Sequence, residues 1–113
     1  MTTLFDERER AAEALFALDE ELRFLAIARR NKMLGAWMCE RLNLTGEAAE
    51  AYQRRLVEAG AASHAGDRSP DEALADRLRA DLAARGVAAD DLPGLIARYG
   101  VEAARTVREQ ARG

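Results

Sequence analysis

The chain has little of what chemistry at an active site requires. Its 113 residues hold one histidine, His64, and one cysteine, Cys39. A lone cysteine closes no internal disulfide, which suits a reducing cytoplasm, and the ligand set of a zinc site is missing. Neither G-x-x-x-x-G-K-[ST] nor G-x-G-x-x-G occurs, which excludes a self-sufficient nucleotide hydrolase. Aromatic residues make up 5 % of the chain, and valine and isoleucine are sparse, so there is little material for strands. No apolar run is long enough to span a bilayer. The amino terminus, MTTLFDERER, is acidic and charged, unlike a secretory signal. A formal net charge of −3 supplies no basic surplus for nucleic acid. Runs such as Asp19-Glu20-Glu21 read as solvated surface charge. The expectation is a cytoplasmic protein with no catalytic residue, no metal and no required cofactor.

What remains is rich in Ala, Leu, Glu and Arg, all good helix formers. The pattern predicts four helices and a weaker amino-terminal extension. The clearest boundary is SPDE at 69–72, with Ser69 as cap, Pro70 at the first helical position and Glu72 completing a capping box. Leu74, Leu78 and Leu82 then share one face, and Gly86-Val87 fits a left-handed stop. A second helix follows Thr45, with Ala49, Tyr52, Leu56 and Ala59 as its stripe. It is expected to fray into GAASHAGDRS, the loop that carries His64. The last helix follows AADD, with Asp90 as the expected cap and a stripe of Leu92, Leu95, Ile96, Tyr99, Ala103 and Val107. Gly100 inside that helix predicts a bent or loose segment. Short connections favour an up-down arrangement. The predicted fold is all-α, a small four-helix bundle over residues 19–113 with a mobile or extended helical arm over residues 1–18.

The helix containing EELRFLAIARRNKMLGAWM is apolar on two sides. At roughly 100° per residue, Phe24, Ile27, Ala28, Leu34, Met38 and Leu42 share a core stripe, with Asn31 inside it as an amide needing partners. The other side aligns Arg23, Arg30, Trp37 and Arg41, with Leu22, Ala26 and Met33 beside them. An arginine–tryptophan stripe suits an anion held over a ring or a protein partner. The plainer alternative is Trp37 covered by a neighbouring helix while arginine stems reach water.

The extension is thinly apolar at its start, where Phe5 stands nearly alone. Further on, Leu15, Leu18, Leu22 and Leu25 fall at the spacing of a short coiled-coil seam. Its first dozen residues are too polar to dock well on a small bundle. The expectation is an arm that orders on meeting a partner, against a frayed helix with no role.

The residues FDERERA…F…DEELRF…A.ARRNK.LG.W resemble the amino-terminal signature of the ζ subunit of alphaproteobacterial F-type ATP synthases. AEAY…LVEA and RLRADLAARGV are similar to later parts of the same family, and the likeness fades after Asp91. The resemblance implies a four-helix bundle that inhibits ATP hydrolysis by the F1 sector, peripheral on the membrane-bound synthase without entering the bilayer. It implies an arm that inserts at an interface between catalytic α and β subunits, near γ, and blocks rotation. The arm residues that take this role here are Phe5, Arg8, Arg10, Ala12, Leu15 and Phe16. The resemblance also leaves room for ATP or ADP as a ligand of the bundle. Placing it on the Arg23–Arg30–Trp37–Arg41 face is a separate expectation, and the alternative function is a nucleotide-sensing bundle with weak or no inhibition. The chain departs from the family where Leu15, Leu18 and Leu25 replace Lys, His and Lys. Such leucines either hide against the bundle or pair with a second copy.

Overall fold

The computed structural model describes residues 3–62, 70–88 and 91–112. Among these the chain is all-helical, with α1 (Leu4–Phe16), α2 (Glu20–Leu42), α3 (Gly46–Ala62), α4 (Pro70–Ala84) and α5 (Leu92–Arg112). Ser69, His64 and Asp90 lie outside the described residues.

The helix ends follow from local chemistry. Thr3 Oγ1 accepts the Asp6 amide at 3.1 Å and the Asp6 carboxylate accepts the Thr3 amide at 3.4 Å, a reciprocal cap that starts α1. Asp19 caps α2 by accepting the Leu22 amide at 2.9 Å. α2 stops at Asn43, in the left-handed region at φ 60°, and the Leu44 amide returns to the Cys39 carbonyl at 2.8 Å. α4 ends in the same way at Gly86, φ 70°, with the Val87 amide on the Leu82 carbonyl at 2.9 Å and the Gly86 amide on that of Ala83 at 3.0 Å. Leu44 and Val87 both turn back onto the core. At α5 the side chain of Asp91 accepts the Gly94 amide at 3.1 Å, with Pro93 inside the first turn where no intrahelical bond is lost.

The main core joins four helices: Leu34, Met38 and Leu42 of α2, Tyr52 and Leu56 of α3, Leu74, Leu78 and Leu82 of α4, and Leu92 and Ile96 of α5. These are the predicted stripes, with one correction. Phe24, expected in the core, is exposed. The buried line of α2 begins instead at Ala26 and passes through Arg30 and Leu34 to Met38. The small side chain of Ala26 lets α5 approach, and it packs with Ala104 and Val107 there. Residues read as the open stripe therefore face inward at this end, and Phe24 is turned out.

The arm also departs from expectation. α1 is a docked helix, packed against α5. The leucine seam is broken by the turn at 17–19, so Leu15 lies before the corner, Leu18 within it, and Leu22 and Leu25 after it. Leu18 is buried with Ala26, Ala104 and Val107, and Ala14, Leu15 and Leu22 pack around them. This second, smaller cluster fastens the arm. Gly100 does not loosen α5, which is continuous through it. It is buried where α1 crosses, and a Cβ there would lie 3.7 Å from that of Ala11.

Candidate functional site

The four members of the arginine–tryptophan stripe have three different surroundings. Arg23 closes the end of α1. Its Nε donates to the Leu15 carbonyl at 3.0 Å, and its Nη2 donates to the Leu18 carbonyl at 2.9 Å and to that of Phe16 at 3.4 Å. Its guanidinium also lies over the Phe16 ring, 5.1 Å from the centroid. A cation on the last carbonyls of a helix is favoured by the helix dipole and supplies the donors those carbonyls lack. Trp37 and Arg41 do come together, with the guanidinium 4.7 Å from the ring centroid. They border a small hollow of about 220 Å³ shared with Asp91, Leu95 and Arg98.

Arg30 is the unexpected member, because it is buried. Nε and Nη2 donate to Asn31 Oδ1 at 3.1 and 3.0 Å, and Nη1 donates to Asp71 Oδ1 at 2.9 Å. The amide of Asn31, expected to need a partner in the core, finds it in its neighbour on the chain. Asp71 is half-exposed at the start of α4, so this buried charge is tied to an acid that keeps part of its hydration. That arrangement offsets the desolvation that an isolated buried guanidinium would suffer.

Above Arg30 is a cavity of about 690 Å³. α1 contributes Arg8, Ala11, Ala12 and Leu15 to its wall, α4 contributes Asp71, and α5 contributes Gly100. The arm residues named from the sequence thus divide into two sets. Arg8, Ala12 and Leu15 line the cavity, whereas Phe5, Arg10 and Phe16 are exposed on the outside of α1. Among the described residues, two ion pairs hold the arm's polar side: Glu7 to Arg98 at 2.7 Å, and Arg8 to Glu72 at 3.6 Å. Glu7, Asp71 and Arg98 were not singled out by sequence reasoning. Their partners are 91 and 41 positions away, and no local spacing announces such a pair.

Apolar exposure is concentrated in one part of the chain. The sequence has three phenylalanines, and all three face solvent: Phe5 at 72 %, Phe16 at 75 % and Phe24 at 64 %. Leu4 and Leu25 complete the set of large exposed apolar side chains among the described residues. All five belong to α1 or the first turns of α2. Elsewhere, Cys39 is buried, no three metal-ligating side chains converge among the described residues, and no helix is long and apolar enough to cross a membrane.

No curated protein and no solved structure matches the chain. A family does: the match runs from residue 1 to residue 105, taking in the arm, the cavity and most of α5, well past Asp91 where the resemblance read from the sequence fades. The chain belongs to the family ATPase inhibitor subunit zeta.

Proposed function

We propose that this member inhibits ATP hydrolysis by the F1 sector through its amino-terminal arm, which enters an interface between catalytic α and β subunits near γ and stops rotation. The reading is supported by the gathering of Phe5, Phe16, Phe24, Leu4 and Leu25 on the first 25 residues, while the remaining large apolar side chains among the described residues are at least partly covered. A small domain that exposes all its phenylalanines on one helix and the start of the next carries the signature of a binding face, since aromatic anchors dominate protein interfaces. The protein performs no chemistry in this account. It acts as an obstacle to a rotor.

The test is ATP hydrolysis by F1 lacking its own ζ subunit, titrated with full-length protein, with Phe5→Ala/Phe16→Ala, and with a variant lacking the residues before Leu15. The wild type should suppress hydrolysis. The double variant should need at least about tenfold more protein, as loss of interface anchors worth more than about 1.4 kcal/mol demands. The truncated chain should be inactive. Unchanged hydrolysis at saturating wild-type protein would overturn the reading.

A second reading is favoured by the cavity itself. Its volume is that of a small-molecule site, and the buried Arg30 is among the residues that line it. ATP or ADP bound there would meet Arg30 from the predicted nucleotide face and Arg8 from the arm. Amide shifts of Arg30 and its neighbours should move on titration with either nucleotide, and less so in Arg30→Ala. Spectra unchanged at millimolar nucleotide would count decisively against it.

A further inference from the structure

α1 has two apolar stripes, one residue apart in register. Ala11 and Leu15 form the first, and Phe5 and Phe16 form the second, about 100° further round the helix. The bundle occupies the first. A Cβ at position 100 would meet Ala11 Cβ at 3.7 Å and Leu15 Cδ1 at 4.0 Å, and Leu18 is buried with Ala104 and Val107. Glu7 and Arg98 pair across the same junction at 2.7 Å, and Arg23 holds the last carbonyls of α1. A helix held on one side in this way cannot also be enclosed by another protein. A cleft that admits a single helix about 10–12 Å wide does not admit a body measuring 39 × 32 × 30 Å.

We infer that the docked arm is a resting, non-inhibitory state, and that α5 and an F1 interface that encloses the helix compete for α1. This rests on the reading of the arm as the blocking element. Inhibition then requires the arm to leave α5 first, and the protein's apparent affinity is reduced by the fraction of molecules whose arm is docked. The leucines that depart from the family pattern are part of the device: Leu15 and Leu18 are two of the side chains that hold the arm down.

The contact geometry supplies its own test. The 3.7 Å separation at positions 11 and 100 falls within the usual Cβ–Cβ range of disulfides, about 3.5–4.5 Å. Ala11→Cys/Gly100→Cys, made in the full chain with Cys39→Ala, can therefore be closed by oxidation and reopened by reductant. F1 hydrolysis is titrated with the oxidised form, the reduced form and the variant lacking the residues before Leu15. The expected result is that oxidation raises the half-inhibitory concentration by about tenfold or more, that reduction restores it, and that the truncated chain is inactive. Equal inhibition by oxidised and reduced protein overturns the inference. In that case a truncated chain that is inactive leaves the arm reading standing, whereas one that still inhibits removes it as well. If no form inhibits, the reduced protein included, both fall. Arg98→Ala gives an independent check that leaves the core intact. Breaking the pair with Glu7 should lower the half-inhibitory concentration by up to about fivefold, and no change or a change in the other direction counts against the inference.

Discussion

Tyr52 shows how one polar atom is fitted into this core. Its ring is buried among the apolar residues of α2, α3 and α4, and its hydroxyl donates to Asp81 Oδ2 at 2.7 Å. Burial, followed by the bond to Asp81, pushes the phenol above its usual value of 10.0. The neutral form is the one the fold binds. A pKa raised on folding means that the stability contributed by Tyr52 is fully present below pH 10.0 and is lost as pH climbs toward the folded value. Alkaline unfolding followed by helicity and by tyrosinate absorbance should therefore show one tyrosine that ionises only with the loss of helix. Tyr52→Phe should remove that coupled step. It should also cost roughly 0.5–1.5 kcal/mol at neutral pH, the net worth of one hydrogen bond. Arg30 follows a related logic with opposite charge. In the interior Asn31 and Asp71 take three of its donors.

At the level of helices, two glycines that look equivalent in the sequence have opposite roles. A Cβ on Gly35 would stand 3.0 Å from Gln53 Cγ and 3.4 Å from Gln53 Cα, so the absence of a side chain sets how closely α2 and α3 approach. Gly35→Ala should destabilise the protein by about 1–3 kcal/mol, the usual range for overpacking. At Gly100 the nearest atoms stand at 3.7 Å or more, an ordinary contact. There the same substitution removes the glycine penalty in a helix interior and should stabilise by about 0.4–1 kcal/mol. Chemical denaturation of the two variants beside the wild type reads both signs. Gly100→Ala should also be the weaker inhibitor, since the added methyl packs on Ala11 and strengthens the docked arm.

At the scale of the whole molecule, the sequence was legible where one element explains itself. The leucines at 74, 78 and 82, the stop at Gly86, and the stripes of α3 and α5 all rest on local spacing, and each takes its predicted place. Reading failed where two elements meet. Phe24 and Arg30 exchange the roles their hydrophobicity suggests, because the face of α2 that packs is set by the closeness of α5 at Ala26 and by an acid 41 positions along the chain from Arg30. The arm's charges look too polar to dock only when their partners on other helices are left out. Glu7 and Arg8 find Arg98 and Glu72 on other helices. The candidate arm residues were named from the family resemblance. The split among them, with Arg8, Ala12 and Leu15 turned to the cavity and Phe5 and Phe16 turned outward, belongs to the tertiary structure alone.

The turn between α1 and α2 sets a length scale. Only residues 17–19 separate the two helices, a span of about 10 Å at full extension, while the 13 residues of α1 make a rod of about 20 Å. A rod longer than its tether swings about a fixed pivot and cannot travel. On the proposed reading of α1 as an inserted helix, Glu20 and the bundle behind it stop at the rim, and the depth reached is set by the length of α1. Lengthening that turn with glycine and serine would uncouple depth from helix length, and the bundle would cease to act as a gauge.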